Sequence, residues 1–158
     1  MSTQLTEEAA KLRANAASSI IKSEMDLKEI EREFASFQIK SDTSDNLADR
    51  ELKLLLGLGE RVSKLLQQVS TSIPSICSAG AACIYPLNVA SKITPVIDDI
   101  DAAKGYAKET ETKFAEFKNQ KKFVDQKSAL VNAQGKINQT LAKIRSAVDQ
   151  SHLLTFGQ

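Results

Sequence analysis

"KFAEFKNQKKFVDQK", residues 113–127, is the stretch on which the fold of this chain turns. Before it, apolar residues recur at Val96, Ile100, Ala103, Ala107, Phe114 and Phe117; after it, at Val124, Val131, Ile137, Leu141, Ile144 and Val148. Steps of three and four place such residues on one stripe of an α-helix. No proline follows Pro95, so a single unbroken helix is one reading. The other is two helices, parted near 118–125 or at Gly135. Two helices, over about 96–118 and 124–150 with a break near Asn119, are the expectation, because a four-helix antiparallel bundle closes its own core.

Working back towards the N-terminus, the same periodicity predicts two more helices. Over about 6–39, Leu5, Ala9, Leu12, Ala16, Ile20, Leu27, Ile30, Phe34 and Phe37 form one stripe that only Ser23 dilutes. Glu7 and Glu8 stand in its expected first turn, where the helix dipole favours acids. "KSDTSDN" (40–46) ends it, since these short polar side chains compete for backbone hydrogen bonds. Over about 47–71, Leu55, Leu58, Val62, Leu65 and Val69 make the second stripe, widened by Leu52, Leu54, Leu56 and Leu66. Gly57 and Gly59 interrupt it and predict a close helix approach or a kink.

The chain is 158 residues long, enough for a single domain over 1–158 with one core. Tryptophan is absent and aromatic residues are only 5%, with six glycines and three prolines, which favours helices over many-turned sheets. The fold class expected is therefore all-α: an elongated antiparallel bundle of four long helices with heptad-like, coiled-coil-style steps.

The exception is "SIPSICSAGAACIYPLNVAS" (72–91), part of an uncharged run between Lys64 and Lys92. It predicts an apolar, Pro-containing connector at about 72–95, longer than neighbouring antiparallel helices require. The polar content of the uncharged run 65–91, including Gln67, Gln68, Asn88 and several serines, is too high for a resident membrane span. Ile73, Ile76, Ile84, Tyr85, Leu87 and Val89 are its candidate contact residues. Cys77 and Cys83 are either a small disulfide loop or free thiols; free thiols are the expectation. An apolar tongue between long helical arms is similar in layout, and in no specific motif, to α-helical pore-forming toxins.

Signals of catalysis are lacking. His152 is the single histidine and stands where the last helix is expected to fray; GxSxG, P-loop and GxGxxG motifs are absent. Asp98, Asp99 and Asp101 read as dipole-complementing acids at a helix start, and no metal or cofactor set is expected. Lys and Arg number 21 against 20 acids, a net charge of +1, which speaks against a nucleic-acid binder. Phe114 and Phe117 lie on the core stripe, so the lysines among them are expected to be a solvated face. The N-terminus has no signal-peptide pattern, so the chain is expected to be intracellular or to have lost a leader. The expected function is a non-enzymatic interaction or assembly protein that binds a protein partner or itself. It would act through a helical face or segment 73–90, with no small-molecule substrate. The alternative is a membrane-active protein inserting 73–90.

Overall fold

The computed structural model describes residues 3–39, 45–72 and 93–156. Four helices account for nearly all of them: α1 (Thr3–Ser36), α2 (Asp45–Ser72), α3 (Ile93–Asn119) and α4 (Phe123–Phe156). No strand occurs among the described residues. The break in the decisive stretch comes after Asn119. There the Gln120 N–H donates to Phe117 O at 3.2 Å, a tightened last turn, and the Gln126 side chain donates to the freed Gln120 carbonyl at 3.1 Å. Lys118 in the last turn of α3 and Asp125 in the first turn of α4 complement the two facing dipoles.

Cross-helix side-chain bonds fix the directions. Gln68 Nε2 donates to Ser23 Oγ at 2.9 Å and Arg61 pairs with Glu33, so α1 and α2 run antiparallel. His152 Nδ1 lies 2.5 Å from Glu24 Oε1 and Arg145 pairs with Glu31, which sets α4 antiparallel to α1. Ser146 Oγ donates to Asp99 Oδ2 at 2.6 Å and Lys136 meets Glu109 at 3.0 Å, which sets α3 antiparallel to α4. The bundle is up-down-up-down.

Its core is built from the predicted stripes. Leu27 and Ile30, Leu55 and Val69, Val96 and Ile100, and Ile137, Leu141 and Ile144 are all buried in one cluster, joined by Leu130, which the stripe did not include. Phe114 and Phe117 are buried with them, as their stripe predicts. Ser23, the polar interruption in the α1 stripe, is buried too, and its bond to Gln68 satisfies it.

Several expectations are corrected. α1 begins and ends three residues early; at its end Ser36 Oγ donates back to Glu33 O at 2.8 Å and the Phe37 N–H closes on Phe34 O at 3.1 Å. Starting at Thr3 and Ile93, α1 and α3 carry no acid in their first turns, so Glu7, Glu8, Asp98, Asp99 and Asp101 are not dipole partners there. α4 continues past His152 to Phe156. Val131 and Leu54, expected on core stripes, are 47% and 55% exposed, because the buried arc is narrower than the apolar arc.

The helices are not level. Ser23 and Glu24 face residues only four from the ends of α2 and α4, so α1 runs on past both by about 16 residues, ~24 Å at 1.5 Å per residue. α3 starts at the same level, since Asp99, near its start, is bonded to Ser146 and Gln150.

Candidate functional site

The seams between helices differ in chemistry. Along α1–α4, Arg145 holds Glu31 through two nitrogens and reaches Asp149 at 3.3 Å. The hydrogen bond to Glu31 raises the Arg145 guanidinium above its ordinary range, against the opposing pull of burial. Along α3–α4, the half-buried Asp99 accepts from Ser146 and from Gln150, both at 2.6 Å, while Lys143 stands 3.8 Å away. Lys136 lies over the Tyr106 ring at 5.7 Å from its centroid. These groups have partners within the fold and act as clamps between helices.

The seam between α2 and α3 is different. It opens into a groove of about 340 Å³ floored by Leu56, Val62, Ala107, Phe114 and, from α4, Ile137. Gly59 makes the opening: a Cβ there would stand 3.5 Å from Phe114 Cε2 and 3.7 Å from Ile137 Cδ1, so any larger side chain would project into the groove. Of the sequence alternatives for Gly57 and Gly59, Gly59 is a close approach, whereas Gly57 meets nothing within 4 Å.

Two buried hydroxyls line the groove. Thr110 Oγ1 donates to Tyr106 O and Thr140 Oγ1 to Lys136 O, both at 2.8 Å, which leaves their lone pairs as acceptors. Glu60 and Lys64 on α2 and Glu111 on α3 stand exposed along the rim. An apolar floor between acids drawn from both walls suits a large apolar side chain flanked by positive charge.

The groove contains neither histidine nor cysteine. His152 sits at another seam, against Glu24. Among the described residues no group of three His, Cys, Asp or Glu side chains could hold a metal ion. The sequence-predicted contact residues Ile73, Ile76, Ile84, Tyr85, Leu87 and Val89 lie outside the described residues, as do Cys77 and Cys83. The sequence missed the groove because it needs the relative height of Gly59 and Phe114 on different helices; the glycine was its only local signal.

Compared with protein-family models, curated proteins and solved structures, the chain matches none.

Proposed function

We propose that this protein is a non-enzymatic interaction module whose α2–α3 groove takes the apolar ridge of a partner's amphipathic helix, with basic residues beside that ridge. The observation carrying this is the apolar groove at Gly59 set between Glu60 and Glu111. Grooves of this kind accept helices through anchors at i, i+3 or i+4, and opposite charge at the rim steers the encounter. Among the described residues, the exposed large hydrophobics elsewhere are spread over all four helices.

The test is fluorescence anisotropy with three synthetic helices that share a leucine ridge and differ in basic, neutral or acidic flanks. The basic-flanked helix is expected to bind best. Gly59→Leu and the rim change Ser63→Trp are each expected to weaken it at least about tenfold, some 1.4 kcal/mol, while Glu60→Gln with Glu111→Gln reduces the preference for basic flanks. Equal binding of all three helices, or binding untouched by both blocking variants, contradicts the proposal.

Membrane insertion by 73–90 keeps only its sequence support. Among the described residues no helix is long and apolar enough to cross a membrane.

A further inference from the structure

The buried side of the α2–α3 groove is apolar except at two points. Thr110 on α3 and Thr140 on α4 both line it and are only 6% and 1% exposed. Each hydroxyl gives its one proton to the carbonyl four residues back, Tyr106 O for Thr110 and Lys136 O for Thr140, both at 2.8 Å. A threonine oxygen also carries two lone pairs, and no other described side chain donates to either. The apolar floor of Leu56, Val62, Ala107, Phe114 and Ile137 brings no side-chain donor.

The groove is therefore an apolar slot that offers acceptors and no donors at its buried side. An aliphatic anchor that fills it expels solvent and leaves those acceptors unpaired, which costs binding free energy. A lysine ammonium sunk to that depth loses its hydration, and the acids that would neutralise it, Glu60 and Glu111, stand exposed at the rim. A serine brings a donor but too little apolar surface for the floor. An aromatic side chain with a polar tip meets both demands.

We propose that the anchor this groove selects is a tyrosine or tryptophan of the partner helix, whose O–H or N–H donates to the hydroxyl oxygen of Thr110 or Thr140. This selection rests on the helix-binding reading of the groove, and it adds the identity of the anchor and the two residues that choose it. Binding by apolar area alone runs the other way. Phenylalanine would then exceed tyrosine, whose hydroxyl would be buried without a partner.

Fluorescence anisotropy with two basic-flanked synthetic helices, identical but for phenylalanine or tyrosine at the central anchor position, tests this. The wild-type chain is expected to bind the tyrosine helix about fivefold more tightly, the worth of one net hydrogen bond. In Thr110→Val with Thr140→Val the preference is expected to vanish or reverse, whereas Thr110→Ser with Thr140→Ser keeps it. Circular dichroism melts check that both variants fold, and the wild-type comparison needs neither. Equal or weaker binding of the tyrosine helix by the wild-type chain overturns the proposal, as does a tyrosine preference that survives both valines. If both helices bind alike and Gly59→Leu blocks both, the groove reading stands and the anchor assignment alone falls; if neither binds, both fall.

Discussion

The α3–α4 pair and the α2–α3 pair are both antiparallel neighbours sharing one core, yet one packs closely with a cleft of mainly polar residues at its surface and the other opens into an apolar groove. α3 and α4 pack far more closely than any other pair. Ala103 on α3 and Ala129, Ala133 and Ala147 on α4 are buried, and small buried side chains allow two helices to approach closely. Asp99 then fastens the pair through Ser146 and Gln150. α2 instead brings bulky residues, Leu55, Leu58, Val62, Leu65 and Leu66, and meets the Phe114 ring at Gly59. Large side chains hold the helices apart, and a missing one leaves space. Small residues make the clasp; a glycine among leucines makes the site.

The contrast can be broken or sharpened by substitution. The largest loss is expected from Ile144→Ala, which empties a fully buried position on α4 and should cost about 2–5 kcal/mol by chemical denaturation. Next, Ala133→Leu forces a larger side chain into the close-packed region, with about 1–3 kcal/mol lost. Gly59→Leu adds the same side chain at the groove and is expected to cost less than Ala133→Leu, because helix propensity improves and its Cβ would make only ordinary van der Waals contact with Phe114 and Ile137. If both leucines destabilise alike, the two seams do not differ as described. Asp99→Ala strips Ser146 and Gln150 of their shared acceptor and should cost about 1–2 kcal/mol. The smallest effect is a gain: Gly57→Ala, with nothing within 4 Å, should stabilise by up to about 1 kcal/mol in the same denaturation curves.

How much of this was legible in the sequence follows from the range of each interaction. The helices and the break at Asn119 were legible because three-four periodicity and a polar interruption are local signals. Helix ends drifted by a few residues where short-range bonds such as Ser36 to Glu33 decided them. His152 was assigned to a fraying tail because its partner, Glu24, is 128 residues away. Asp99 was grouped with Asp98 and Asp101 by proximity in the chain, whereas the fold separates it from them and turns it to α4. The groove was hinted at by Gly59 alone, since its floor is drawn from three helices.

The account rests on the α2–α3 seam being the surface that binds. Backbone amide shifts, recorded by NMR as the basic-flanked helix is added, test it most directly. Perturbations are expected to centre on Gly59, Ser63, Thr110 and Glu111, with the amides around Asp99 and Ser146 in the α3–α4 clasp unmoved. Perturbations centred on the α1–α4 seam or on residues 73–92, with the groove amides silent, would contradict it.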